Sequence, residues 1–271
     1  MRILDPLLGT WKGALQSLLR VIRISATRGL DEDNLLSIIS LLRPYSVGYE
    51  LIRMGESKDG GYLLPDDLIG IDGCFSPGVS NIVSFEEELL RRGIPCFLAD
   101  NSVSFSPIEH NLIRFDKKHV TGFDSENTFT LSTWLSQYEK ESTNLILQMD
   151  IEGAEYEVIL ATSQEKLKQF RIMVIEFHNL EHLPDNIVGP IIVGALKKVL
   201  NDFFVVHIHP NNARKLSRWG KLLIPPTLEV TFLRKDRVSQ YRPVENLPHS
   251  LDADNVSHND SIILPSYWWK N

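Results

Sequence analysis

Apolar residues in this chain fall into short unbroken runs separated by stretches with helical spacing. From Ile69 onward the runs cover residues 70–75, 95–99, 112–115, 144–149, 171–177, 203–208 and 228–233. A short apolar run bounded by turn residues predicts a strand buried on both faces. Between the runs, apolar positions recur with a helical period at residues 82–92, 129–138, 155–170 and 187–200. This alternation predicts an α/β fold, a doubly wound sheet of seven strands with crossover helices on both faces. The last run differs. Thr227-Leu-Glu-Val-Thr-Phe-Leu233 alternates apolar and polar residues, which predicts an exposed edge or an antiparallel strand at the end of the sheet.

The residues before the sheet read as a helical extension over 1–45, ahead of one domain over 46–271. Leu8, Trp11, Leu15, Leu18 and Ile22 share a helical face, and within the first thirty residues Arg2, Lys12, Arg20, Arg23 and Arg28 meet only Asp5. A basic amphipathic helix is therefore expected. Its plainer use is packing on the domain or in a homodimer, and its sharper use is attachment to a membrane surface or a partner enzyme. A second helix is expected over residues 33–43, stopped by Pro44. The tail from Arg237 is polar and closes on Tyr267-Trp268-Trp269, read as an anchor to the surface.

Composition narrows the class. With 43% hydrophobic and 23% charged residues the 271-residue chain reads as globular. A net charge of −7 argues against a broad nucleic-acid surface. Cys74 and Cys96 lie in apolar runs and read as small core residues. No run reaches the roughly eighteen apolar residues of a membrane span, and no signal peptide is evident. A cytoplasmic protein is expected, and the sequons Asn255-Val-Ser257 and Asn259-Asp-Ser261 are read as chance matches.

Ligands of open α/β sheets sit beyond the carboxyl ends of the strands, so the residues just past each run are the candidates. Ser76-Pro-Gly-Val-Ser80 leads into a helix near Ser84, a turn that lets backbone approach a ligand. Asp100, with Asn101, follows the second run, twenty-two residues beyond Gly78. That is near the spacing of a carboxylate that accepts two ribose hydroxyls. The fourth run leads into Asp150-Ile-Glu-Gly-Ala-Glu155, three carboxylates that call for a positive or donor-rich partner. Glu176 and His178 share a strand face, as do His207 and His209, and His207 reads as structural. Asp150, Glu176, His178 and His209 can thus meet over adjacent strand ends. Such a mixed set suits Mg²⁺ or Mn²⁺, a metal-free general base, or a polar cluster that orients substrate. Lys58-Asp-Gly-Gly-Tyr62 reads as an ordinary turn or as a lid over the cofactor through Asp59, Gly61, Lys58 or Tyr62. The basic loop Arg214, Lys215, Arg218 and Lys221 reads as solvated, or as a trap for an acidic glycan or a diphosphate-linked substrate.

These segments together resemble the FkbM-type methyltransferases. The resemblance rests on Asp150-Ile-Glu-Gly-Ala-Glu155, Thr130-Leu-Ser-Thr-Trp-Leu135, Ser76-Pro-Gly-Val-Ser80 with Ser84-Phe-Glu86, Asp100 and Val174-Ile-Glu-Phe-His178, with Asp59-Gly-Gly-Tyr62 and Pro225-Pro-Thr-Leu-Glu-Val-Thr231 as lesser support. It spans roughly residues 53 to 235. It implies a class I methyltransferase (Rossmann-like) fold, seven strands with the last antiparallel, and S-adenosylmethionine as cofactor. It also implies O-methylation of a sugar, glycan or secondary metabolite. Ser76, Pro77, Gly78, Val79 and Ser80 would hold the methionine part, Asp100 the ribose, and Asp150 would lie near the sulfonium. The Ser-Pro-Gly-Val-Ser loop departs from a richer glycine pattern, and Pro77 removes one N–H donor. On this reading Asp150, Glu176 and His178 hold a divalent ion while His209 or a free carboxylate takes the proton. The rivals are a nicotinamide-dependent oxidoreductase, which should show a fuller GxGxxG, and a noncatalytic scaffold, which would not need Glu176, His178 and His209. A metal-dependent glycosyltransferase would need a DxD-like pair in a suitable strand-end context, and none is found there.

Overall fold

The structure is a computed structural model and describes residues 29–138 and 142–270. The basic amphipathic helix expected near the N-terminus lies outside the described residues.

The central sheet has seven strands: β1 (Gly73–Pro77), β2 (Cys96–Ala99), β3 (Ile113–Asp116), β4 (Leu145–Met149), β5 (Phe170–Phe177), β6 (Phe203–Pro210) and β7 (Leu228–Arg234). They lie in the order β3-β2-β1-β4-β5-β7-β6. The first five pair in parallel, and β7 runs antiparallel to both β5 and β6. The sheet reverses winding between β1 and β4, and the crevice of such a sheet opens at the strand ends there.

Alternate residues of the parallel strands feed two core layers, as a period of two requires. Leu145, Leu147 and Met149 join one layer with Trp134, Phe170 and Trp268. Ile146, Cys74, Cys96 and Val174 join the other with Met54, Tyr62 and Leu64. Both cysteines are buried and free, as their apolar setting predicts.

The helices are α1 (Glu32–Ile39), α2 (Ser84–Arg91), α3 (Leu131–Tyr138), α4 (Glu155–Ala161), α5 (Gln164–Leu167) and α6 (Val188–Leu200). Asp31 caps α1 by accepting from the Asn34 amide at 2.8 Å, and Leu35, Ile39 and Leu42 pack into the main core. The single helix expected over 155–170 is two. Thr162 leaves the helical region at ψ 132, and Ser163 restarts the chain by capping the Lys166 amide.

The sequence pattern misplaces β7. It is antiparallel, as expected, but sits between β5 and β6 with all seven residues buried. Its polar positions face protein: the Thr231 hydroxyl donates to the Leu63 carbonyl at 2.6 Å, and Glu229 accepts from Asn255 at 2.7 Å. The covering comes from the antiparallel hairpin Leu51–Met54 and Tyr62–Pro65 and from the C-terminal tail. The tail is anchored by its aromatic end, where Trp268 is wholly buried and donates to the Leu223 carbonyl at 3.0 Å.

Candidate active site

A cavity of about 520 Å³ opens at the carboxyl ends of β1, β2 and β4. Of the residues the sequence offers for the cofactor, Asp59, Gly78, Val79, Ser80, Asp100 and Asp150 line it. Ser76 and Pro77 do not. Both are the last buried residues of β1, which runs two residues further than the apolar pattern indicates. Gly61 serves the hairpin turn, because a Cβ there would lie 1.9 Å from the Glu56 carbonyl oxygen; the glycine on the cavity wall is Gly60. Ser102 takes the wall position expected of Asn101. Lys58 is an exposed partner of Glu56, whereas Tyr62 is buried against the cavity. Tyr62 is part of the wall rather than a lid.

The backbone here is unusual in a consistent way. Among the described residues, Ser80, Glu152 and Asn179 are the non-glycine residues with positive φ, at 47°, 56° and 59°, and each follows a central strand. Such residues cost of order 1–3 kcal/mol each and cluster where function demands the geometry. Gly78 has φ 86°, and a Cβ there would sit 1.7 Å from the Asp150 carbonyl oxygen. The loops after β1 and β4 therefore touch backbone to backbone.

Asp100 pins the second loop to the first. Its carboxylate accepts from the Ser80 amide at 2.8 Å and the Ser102 amide at 2.7 Å. Burial works to raise its pKa, but these hydrogen bonds and His119 outweigh it and hold the group below its ordinary value. Asp100 is ionised and points its remaining lone pairs at the cavity.

Behind Asp150 lies the acidic cluster. One donor atom each from Asp150, Glu176 and His178 lies within 4.8 Å of the others. His178 Nδ1 is 3.1 Å from Glu155, whose same oxygen accepts from the Ile151 and Gly153 amides. The other ring nitrogen, Nε2, stands 3.8 Å from Asp150, 3.5 Å from Glu152 and 3.6 Å from Glu176. Glu176 is 4% exposed; Asn211 donates to one of its oxygens at 2.9 Å, and the other has no partner. Asp150 Oδ1 is likewise unpartnered. Burial, opposed by His178 and aided by the acidic neighbours, pushes Asp150 up to about 7; burial and then Asp150 and Glu229 push Glu176 well above its ordinary range. For His178 burial works downward, but Glu155 and the other carboxylates overcome it and raise the pKa.

His209 does not join this cluster directly. Cross-strand register places it beside Glu229, which in turn lies beside Glu176. The row runs laterally over β5, β7 and β6. The tail completes it with two residues that no sequence signal marked. Asp252 lies 2.8 Å from His207 and 3.6 Å from His209, and Asn255 bridges Glu229 and Asp59. The basic loop turns into a small hairpin, Ser217–Trp219 with Leu222–Ile224, outside the cavity; Arg214 is paired with Glu181.

Another residue missed in the sequence is Glu86 on α2, which is 2% exposed and lines the cavity floor with Gln148. Its signal was faint but present: it falls on the apolar stripe of α2 with Phe85, Leu89 and Leu90.

Seven strands in this order, with β7 alone antiparallel and a cavity bounded by a strand-end glycine loop and a carboxylate after β2, define the class I methyltransferase architecture. Residues 98–189 match the family model described as the methyltransferase FkbM domain, about a third of the chain. No curated protein matches the chain in sequence. Among solved structures, a fibrillarin/Nop5p complex shares 13% identity over 61% of this chain and 73% of that chain, with TM-score 0.36. Precorrin-6y C5,15-methyltransferase from Geobacter metallireducens GS-15 shares 10% identity over 78% of this chain and 92% of that chain, with TM-score 0.33. Likenesses at that level add nothing to the assignment.

Proposed function

We propose that this chain is an S-adenosylmethionine-dependent methyltransferase acting on a hydroxyl of a sugar, glycan or secondary metabolite, with a divalent ion such as Mg²⁺ or Mn²⁺ held by Asp150, Glu176 and His178. The observation that carries the reading is the unpartnered oxygen of Glu176. A carboxylate oxygen buried without a partner is costly, and this one shares its pocket with an unpartnered oxygen of Asp150 and with Nε2 of His178. Glu155 holds the opposite nitrogen of His178, the arrangement that frees Nε2 to ligate and raises its basicity. A bound ion would lower the pKa of an acceptor hydroxyl and help fix which oxygen reacts.

The cofactor supplies a methyl group on a sulfonium. The residues of this chain have three tasks. Gly78 and Ser80 would hold the methionine part of the cofactor and Asp100 its ribose, with Asp150 near the sulfonium. Asp150 and Glu176 orient the acceptor oxygen in line with it, a positioning effect that matters as much as any proton transfer. His209, backed by Asp252, or a carboxylate left free of the ion, takes the hydroxyl proton.

The test is calorimetry of S-adenosylhomocysteine with and without Mg²⁺ or Mn²⁺, with NAD as control, followed by Glu176→Gln. The variant should lose ion binding and turnover while keeping cofactor affinity within a few-fold. Loss of cofactor binding with ion binding intact would refute the assignment of Glu176. Binding of NAD in place of the homocysteine compound would favour the oxidoreductase reading.

A further inference from the structure

The cofactor of a methyltransferase carries an amino-acid end with an ammonium group, and the cavity floor presents a carboxylate that has no cationic partner among the described residues. Glu86 reaches the floor from α2, and its side chain meets the Ser76 hydroxyl from β1. Ser76 Oγ lies 2.5 Å from Gln148 Oε1 on β4, and Gln148 Nε2 lies 3.5 Å from the Tyr62 hydroxyl. The other titratable groups around it are the thiols of Cys74 and Cys96 and the neighbouring Glu87. No Lys, Arg or His is among these partners. Burial raises the Glu86 carboxyl to about 7, against the opposing hydrogen bond from Ser76.

Ser76 has one hydroxyl proton and cannot donate to both Glu86 and Gln148. Two arrangements satisfy every contact. With Glu86 protonated, Glu86 donates to Ser76, Ser76 to the Gln148 amide oxygen, and the amide nitrogen to Tyr62. With Glu86 ionised, the direction reverses: Tyr62 donates to the amide oxygen, the amide nitrogen to Ser76, and Ser76 to the carboxylate. The amide is then turned over, an assignment that hydrogen-bond partners decide. Only the second arrangement presents a negative charge to the cavity.

We propose that Glu86 receives the ammonium group of the methionine end of S-adenosylmethionine, and that arrival of the cofactor sets the direction of the Tyr62–Gln148–Ser76–Glu86 chain. The inference rests on the methyltransferase assignment and not on the metal. It accounts for a buried carboxylate that nothing else in the site uses. The placement fits: Glu86 and Gln148 lie under the ends of β1 and β4, while Asp100 marks the ribose end after β2. A charge-assisted hydrogen bond in a buried site is among the stronger polar contacts.

The test compares S-adenosylhomocysteine with 5′-methylthioadenosine, which keeps the nucleoside and sulfur but lacks the amino-acid end. Calorimetric affinities of the full chain are measured from below to above pH 7, for wild type and Glu86→Gln. Wild type should bind S-adenosylhomocysteine more tightly as pH rises through about 7. Glu86→Gln should weaken that ligand by about 10- to 100-fold and remove the pH dependence, while 5′-methylthioadenosine stays within a few-fold. Equal weakening of both ligands, unchanged affinity for both, or a pH profile retained in the variant would each overturn the proposal. Ser76→Ala supplies a second reading. It leaves the carboxylate in place but removes the hydrogen bond that opposes burial, so the midpoint of the pH profile should move upward; a fixed midpoint refutes the reversing chain. If wild type binds 5′-methylthioadenosine and S-adenosylhomocysteine equally well, Glu86 has no ammonium to receive; if it binds neither, the methyltransferase assignment itself falls.

Discussion

Replacing Glu86 by Gln should stabilise the ligand-free protein, and the gain should grow with pH. In the folded chain the carboxyl titrates at about 7 because burial disfavours its charge, whereas its ordinary value is 4.5. A group whose folded pKa is raised favours folding fully below its unfolded value, and that contribution is lost as pH rises through the folded one. The gap between 4.5 and about 7, at about 1.36 kcal/mol per unit, is worth about 3 kcal/mol above pH 7. Gln removes the charge and keeps the contact, since its amide can donate to Ser76 as the protonated acid does. For a domain of this size the gain corresponds to roughly 6–12 °C in Tm. Thermal melts of both proteins, without cofactor, should coincide near pH 4.5 and separate progressively up to pH 8, the variant melting higher. A variant that melts lower at pH 8, or a difference independent of pH, would refute the reasoning. Saturating S-adenosylhomocysteine should narrow the gap at pH 8, because a roughly 10- to 100-fold tighter affinity stabilises wild type by about 1.4–2.7 kcal/mol more than the variant. The site would thus trade stability of the empty protein for cofactor binding.

Gly78→Ala places a methyl against the Asp150 carbonyl and forces a side chain into positive φ. It should lower stability by about 3 kcal/mol or more and abolish calorimetric binding of S-adenosylhomocysteine; retained micromolar binding would show that the two loops do not need their contact. Trp268→Ala empties a wholly buried position and should cost about 3–5 kcal/mol in denaturant titrations, with cofactor affinity of the folded fraction unchanged.

The parallel core was legible because strands buried on both faces need no polar residue, and runs such as Leu145-Ile-Leu-Gln-Met149 show it. Asp59, Gly78, Ser80, Asp100 and Asp150 were legible because a strand end followed by glycine or carboxylate is a local signal. Other features depended on distant segments. The alternation of β7 normally marks solvent on one face, yet here Leu63 and Asn255, far away in sequence, satisfy its polar side. Asp252 and Asn255 sit in a polar tail with no periodicity, so nothing local announces that they face His209 and Glu229. Glu86 is one of three consecutive acids in Ser84-Phe-Glu-Glu-Glu88, and its place on the apolar stripe of α2 separates it from Glu87. The short strand pairs outside the main sheet, such as Tyr45–Ser46 with Arg242–Pro243, are too brief to leave a pattern.

The antiparallel insertion of β7 also bears on how the chain reaches this state. Neighbours β4 and β5 follow each other in sequence, but the next strand made, β6, does not join β5; its place is reserved for β7. Until β7 arrives, β5 keeps an open edge along eight apolar-rich residues, Phe170-Arg-Ile-Met-Val-Ile-Glu-Phe177. Strands β6 and β7 pair with each other across a connection of seventeen residues (211–227), so they can dock on β5 as one unit. Docking is a late, nonlocal event, and late nonlocal pairing is slow. An unpaired apolar edge is a template for other chains. Variants that weaken β7 or the tail over it should therefore fail first by aggregating through β5 during folding, before any loss of activity in the molecules that complete the sheet.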